Sequence, residues 1–310
     1  MLFDGAAYFD ESAKMFSRFF MKVLRLMKFV LYWGLRQLCR GHDGASMLKY
    51  GLVFKQLDVM NYSQILLYSV YSDLKTEVSR RLLGFLWWGL EPVLYMATFY
   101  VVFGVALQQG GNDYVYFLIS GMVIWKWFDG SVRLACGAIP ANQGLFQQIY
   151  LPKVLFVLVP VLTNTFKFLV VFLLLAIFLS LGGKGPGLVW WSLIPVCVAM
   201  LLFTFSISVF FAALLPFLQD LRQIIDNFMM LLMFMSGIFY RVNELSGKYN
   251  YIFDYNPVFH LISAFRGILV NGVVPEWSSI GFSLLCALPF GVVGYLIMRR
   301  YDRHYPKILM

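Results

Sequence analysis

Residues Val154–Leu215 read VLFVLVPVLTNTFKFLVVFLLLAIFLSLGGKGPGLVWWSLIPVCVAMLLFTFSISVFFAALL. Two apolar runs, Val154–Leu181 and Leu188–Leu215, flank the turn Gly182–Gly187. The first run carries one charge, Lys167, and the second carries none. Each is longer than the about 20 residues that a helix needs to cross a bilayer. Neither shows the polar stripe of a helix lying on a soluble core. The fold class that follows is an all-α polytopic membrane protein.

Four more apolar runs extend this reading: Phe85–Leu107, Tyr114–Leu134, Ile224–Tyr240 and Ile280–Met298. The expectation is six transmembrane helices. Composition agrees: of 310 residues, 60% are hydrophobic and 13% charged, with mean hydropathy +0.73. A soluble domain has about a quarter charged residues, so this chain lacks the polar groups for an ordinary wet surface. Disorder, a coiled coil and a disulfide scaffold are excluded on the same ground. Cys39, Cys136, Cys197 and Cys286 form no CxxC pair and read as small buried hydrophobes.

Charge sets the orientation. The net charge is +9, which on a membrane protein points to cytoplasmic loops and anionic lipid rather than nucleic acid. Lys14, Arg18, Lys22, Arg25, Lys28, Arg36 and Arg40 stripe the amino-terminal region, and Arg299, Arg300, Arg303 and Lys307 mark the tail. An even number of spans then leaves both basic termini in the cytoplasm. Asp4, Asp10 and Glu11 near the start do not read as a cleavable signal.

The Lys14–Arg40 stripe alternates with Phe19, Phe20, Leu24, Phe29 and Trp33. Spanning would bring cations to the midplane at about 2.5 kcal/mol or more each. A helix lying at the membrane surface avoids that cost, and an amphipathic helix packed on protein fits the same pattern. Gly41-His42-Asp43-Gly44 closes the unit. A second amphipathic stretch, Ile65–Leu83, carries Asp73, Lys75, Glu77, Arg80 and Arg81 on its polar side, with Glu77 and Arg81 at helical pairing distance. The organisation is therefore a basic extension (1–60), an interface helix (61–84), a six-helix domain (85–300) and a basic tail (301–310).

Between spans five and six, Arg241–Ser279 is too apolar for a solvated loop. Asn256 and Pro257 make a helix start, and Gly272 makes a stop. At about 1.5 Å per residue, the helix between them is too short to cross. Short re-entrant helices on the outer side are the expectation.

Motifs for chemistry are weak. Gly182-Gly183-Lys184-Gly185 lacks the upstream glycine and the Ser/Thr of a phosphate loop, so the chain is expected to bind no nucleotide itself. No HExxH or GxSxG occurs, and His42, His260 and His304 stand apart. Polar residues inside spans carry more weight: Glu91, the set Lys126, Asp129 and Arg133 on one face, and Thr163, Asn164, Thr165 and Lys167. Asp129 is placed to pair with both Lys126 and Arg133. Such groups face a bundle interior or a hydrated path, or else snorkel from interfacial depth; Lys167 is expected to face protein. Aromatics make up 18% of the chain, mostly for packing and interfacial belts. Flat rings also stack on sugar faces without demanding one stereochemistry.

Several stretches occur in a telling order: Arg81–Pro92 (RLLGFLWWGLEP), Ile119–Trp125 (ISGMVIW), Ala141–Phe146 (ANQGLF), Tyr150–Lys153 (YLPK), Asp220–Ile224 (DLRQI), Ser236–Tyr240 (SGIFY) and Asn256–Val258 (NPV). Together they resemble the membrane subunit of ABC-2 type exporters, in the branch that exports O-antigen, capsular polysaccharide and teichoic acid. The resemblance spans about Asn61–Tyr301. It implies a bacterial inner-membrane protein, a homodimer of this chain, and a separate cassette ATPase dimer that binds ATP and Mg. It also implies a lipid-linked polysaccharide as cargo.

The resemblance further implies a coupling helix over Ala141, Asn142, Gln143, Gly144, Leu145, Phe146, Gln147, Gln148, Ile149 and Tyr150. Lys75, Arg80 and Arg81 would meet a lipid phosphate at the inner mouth. Candidates for the path are Trp87, Trp88, Glu91, Tyr95, Phe99, Lys126, Asp129, Phe234 and Tyr240. The outer gate would hold Phe253, Tyr255, Phe259, His260 and Arg266. The Lys14–Arg40 unit looks longer than the usual family start. Rival readings are a drug or small-lipid efflux permease and a membrane-embedded glycosyl- or acyltransferase.

Overall fold

The computed structural model describes residues 59–80, 84, 86–106, 113–146, 151–218, 220–240, 253–302 and 304–305. The Lys14–Arg40 stripe, Arg81, Gln147–Tyr150 and the first part of the stretch between spans five and six lie outside the described residues. The chain divides into two units, Met1–Tyr68 and Ser69–Met310. Of the first, only the opening of one helix is described.

Every regular element among the described residues is helical. Helix α1 is Val59–Arg80, beginning well before the amphipathic pattern at Ile65. Helix α2 is Leu86–Phe99, extended by a π-helical stretch over Tyr100–Ala106. Helix α3 is Tyr114–Cys136. Two short helices follow, α4 at Ala138–Ala141 and α5 at Gln143–Phe146. Then come α6 (Lys153–Leu181), a 3₁₀ turn at Leu188–Ser192, α7 (Leu193–Leu214) and α8 (Leu221–Met235). Helix α9 is Pro257–Arg266, with a π-helical stretch over Gly267–Asn271, and α10 is Trp277–Tyr301.

Three stretches are long and apolar enough to cross a membrane: Lys153–Leu181, Leu188–Leu214 and Trp277–Tyr301. Helix α3 has the length but carries Lys126, Asp129 and Arg133. The sequence run to Tyr240 does not stay helical. Helix α8 stops at Met235, and Ser236–Tyr240 is an irregular turn with Gly237 at φ +60°. That left-handed backbone is open to glycine and costly to other residues.

Helix α3 is the core element. Leu118, Met122, Ile124, Trp125, Phe128 and Val132 are buried on it, and it packs against α2, α6, α7, α8 and α9. Helix α10 lies along α7 at very short range: a Cβ built on Gly294 would meet Phe210 Cα at 2.6 Å. Small residues permit this approach where no hydrophobic drive separates helix from lipid.

Polar links sort the helix ends into two groups. At one end, Lys184 after α6 pairs with Asp113 before α3 at 3.3 Å and donates to Val270 O at 3.2 Å. Tyr114 Oη donates to Phe239 O at 2.7 Å, and Asn256 Nδ2 to Met235 O at 3.0 Å. At the other end, Lys153 opening α6 pairs with Asp302 closing α10 at 3.5 Å. Tyr305 Oη donates to Ala213 O, near the end of α7, at 3.0 Å. Both ends of the α9 stretch belong to the first group. Its start is as the sequence predicts: Asn256 Oδ1 accepts from Val258 N and Phe259 N, Pro257 takes the first position, and Gly272 ends the segment at φ +65°.

Candidate functional site

Several charges of the bundle are held in pairs, most of them between helices. Glu91 on α2 faces Lys126 on α3, with Nζ–Oε1 at 2.9 Å. The same ammonium stands 3.8 Å from the Tyr95 ring centroid, one helical turn beyond Glu91. A cation over a ring in a partly dry site gains roughly 1–2 kcal/mol. Asp129 holds Arg133 at 2.6 Å, and Arg133 also pairs with Asp226 on α8. The sequence expectation that Asp129 pairs with Lys126 as well is corrected: Lys126 reaches across to Glu91. Helical spacing shows which residues share a face of one helix and is silent about the helix opposite.

Lys167 faces protein, as expected, and pairs with Glu77 on α1. Its ammonium stands 6.0 Å from the Trp88 ring centroid. Burial raises the Asp73 carboxyl above its ordinary value, with Lys167 pulling it down and Glu77 pushing it up. Lys75 is exposed on α1, 5.9 Å from the Tyr71 ring centroid. Arg80 ends α1, and Arg81 is outside the described residues. The other path candidates divide by burial. Trp88 is buried, Trp87 and Phe99 are half-buried, and Tyr95 and Phe234 are exposed.

The aromatic residues at the end of α8 form a connected set. Phe99 and Phe234 flank Phe239 at 4.0 and 5.3 Å between centroids. Tyr240 Oη donates to Phe234 O at 2.6 Å, and its ring is 5.9 Å from Phe253. Phe253 leads to Phe259, Phe259 to His260, and His260 to Phe282. His260 Nε2 lies 2.7 Å from Asp254 O, so that nitrogen carries the proton. Tyr255 is exposed.

Arg266 differs from the other gate candidates. It is buried, and its guanidinium lies 3.6 Å from the Phe117 ring centroid. Nη1 donates to Gly237 O at 3.1 Å and Nη2 to Ile238 O at 3.3 Å. With Asn256 on Met235 O and Tyr114 on Phe239 O, three side chains satisfy the carbonyls freed where α8 breaks. Gly121 makes room: a methyl there would clash with Nη2 of Arg266. Sequence reading missed the partners of Arg266, because the acceptors are main-chain atoms in a turn.

Within the expected coupling stretch Ala141–Tyr150, Ala141 closes α4, Asn142 interrupts, and Gln143–Phe146 is α5. Asn142 Nδ2 folds back to Ala138 O at 2.8 Å, which gives its side chain a local partner in place of a continuing helix. Ala141 and Gly144 are exposed, and Asn142 and Gln143 are half-buried. The side chains of Leu145 and Phe146, and all of Gln147, Gln148, Ile149 and Tyr150, lie outside the described residues. Sequence reading also passed over Asp226 and Asp302, though an acid inside the Ile224–Tyr240 run was a visible signal.

Apolar helices of spanning length, with their charges paired between neighbouring helices, define a polytopic α-helical membrane protein. The chain belongs to the ABC-2 type transporter family, whose model matches residues 84–270. It is similar to the O-antigen export system permease protein RfbA of Klebsiella pneumoniae, at 26% identity over 238 residues, 76% of this chain and 92% of that one. The polysialic acid transport protein KpsM of Escherichia coli is 21% identical over 230 residues, 73% and 89% of the two chains. The capsule polysaccharide export inner-membrane protein BexB of Haemophilus influenzae is 23% identical over 238 residues, 74% and 88%.

Proposed function

We propose that this chain is the membrane subunit of an ATP-driven exporter that carries a lipid-linked polysaccharide from the cytoplasm across a bacterial inner membrane. The observation that carries the reading is the similarity to polysaccharide-export permeases over about three-quarters of the chain and most of their lengths. Two copies frame the path, and a separate pair of cassette ATPase subunits binds ATP and Mg. The six apolar segments α2, α3, α6, α7, α8 and α10 cross the bilayer with both termini cytoplasmic. The sorting of helix ends favours this topology. The α9 stretch is a re-entrant segment on the outer side.

In this reading, Lys75, Arg80 and Arg81 meet the lipid phosphate at the inner mouth. The Ala141–Tyr150 stretch receives the motion of the ATPase. Glu91, Tyr95 and Lys126 present a charged pair and a ring towards the path, since an ion pair with Glu91 42% exposed is costly against lipid. Phe234, Tyr240 and the aromatic chain to Phe259 lie at its outer end. Anionic lipids hold the basic amino-terminal unit. The test is co-purification with a cassette partner, followed by ATPase assays with lipid-linked glycan in vesicles. Glycan-stimulated hydrolysis with glycan appearing in the lumen supports the reading; stimulation by small amphiphiles alone refutes it.

A further inference from the structure

Two charges occupy helix ends that disfavour them. Lys153 is the first residue of α6, and Asp302 is the C-terminal cap of α10. A helix begins with partial positive charge and ends with partial negative charge, so cations suit the last turn and anions the first. Lys153 and Asp302 reverse this at both places. Burial sharpens the conflict: the Lys153 side chain is 4% exposed and that of Asp302 is 20% exposed. Each residue alone contradicts its local setting, and the 3.5 Å contact between Nζ and Oδ1 resolves both conflicts together. A local rule broken twice and reconciled by one pair marks a position chosen for something other than helix stability.

The surroundings are built to hold this contact still. Tyr305 is fully buried, and its hydroxyl donates to Ala213 O at 3.0 Å. Phe217 lies between the rings of Tyr301 and Tyr305, at 5.2 and 5.5 Å. Ends of α6, α7 and α10 therefore converge at one place. Helix α4 packs on α6 and α7 beside it, with Ile139 and Leu151 buried. In sequence, Phe146 at the end of α5 precedes Lys153 by seven positions, and Leu151 and Pro152 lead directly into it.

We propose that Lys153 and Asp302, backed by Tyr305, form the joint through which movement of the coupling turns reaches α10. They are positioning residues: they touch neither cargo nor nucleotide. The joint makes α6, α7 and α10 turn as one body when Ala138–Phe146 is pushed. This rests on the export reading above.

The test uses the full complex of this chain with its cassette ATPase in vesicles, reading lumenal glycan moved per ATP hydrolysed. In Asp302→Asn the carboxylate facing the buried ammonium is gone, and the ratio should fall at least fivefold in complexes that assemble. The double variant Lys153→Asp with Asp302→Lys restores the pair and puts each charge at the helix end that favours it. It should recover the ratio to within twofold of wild type. An Asp302→Asn complex that assembles and keeps the wild-type ratio overturns the joint. If Asp302→Asn does not assemble, the double variant decides. Recovery of both assembly and ratio supports the joint, and a double variant that fails to assemble or stays uncoupled overturns it. A wild-type complex that moves no glycan would count against the export reading instead, and is measured first.

Discussion

Replacing Arg266 by Met removes one guanidinium from two carbonyls and a ring, and the geometry sets the size of the loss. The donors stand 3.1 and 3.3 Å from Gly237 O and Ile238 O, with the cation 3.6 Å from the Phe117 centroid. Leaving a buried acceptor without its donor costs about 1–3 kcal/mol, and a desolvated cation–π contact contributes about 2 kcal/mol. One side chain makes all three contacts, so the losses overlap. A total of about 3–5 kcal/mol is expected, a fall in melting temperature on the order of 5–10 °C. The assay is tryptophan-fluorescence melting of the purified protein in one detergent at one scan rate. Gly121→Ala adds a second arm. Its methyl would collide with Nη2 of Arg266, so it should destabilise the wild type yet be tolerated beside Arg266→Met. Equal effects of Gly121→Ala in both backgrounds, or a melting shift under 2 °C for Arg266→Met, would refute the role given to this residue.

Three further outcomes follow from the same geometry. Gly294→Leu should lower melting temperature by an amount equivalent to about 3 kcal/mol or more, since overpacking against backbone has no flexible neighbour to yield; a melt like wild type would mean α7 and α10 sit farther apart. Asn256→Ala should cost about 1–2 kcal/mol, because a helix cap and the bond to Met235 O vanish together, and Asn256→Asp should recover part of it in the same assay. The Asp73 carboxyl has a raised pKa, so the folded state holds its proton more tightly than the unfolded chain, and stability falls as pH rises through that range. Asp73→Asn should accordingly melt no lower than wild type at neutral pH, with any advantage shrinking as the pH drops towards 4, followed by a pH series of melting curves.

Much of the helical frame was legible beforehand. The ends of α6, α7 and α10 lie within a few residues of the hydropathy runs, because a lipid-facing helix needs apolar residues along its whole length. The α9 cap and stop were legible because Asn256, Pro257 and Gly272 act on their own backbone. The α8 run was misread past Met235, since Ile238 and Phe239 are as apolar as a helix interior. What ends the helix there is a left-handed glycine and three side chains from elsewhere. In the Ala141–Tyr150 stretch, Gln143–Phe146 is helical, and Asn142 just before it has a local hydrogen bond that competes with a continuous helix from Ala138.

Hydropathy and charge settle that this chain lives in a bilayer, and roughly where its helices lie, because those properties are sums over neighbouring residues. Which charge answers which is a different matter. Glu91 found Lys126, Asp226 found Arg133, Glu77 found Lys167, and Lys153 found a partner 149 positions away in Asp302. A charge placed among apolar helices must be neutralised by whatever helix lies opposite, and the packing of helices alone determines which one that is.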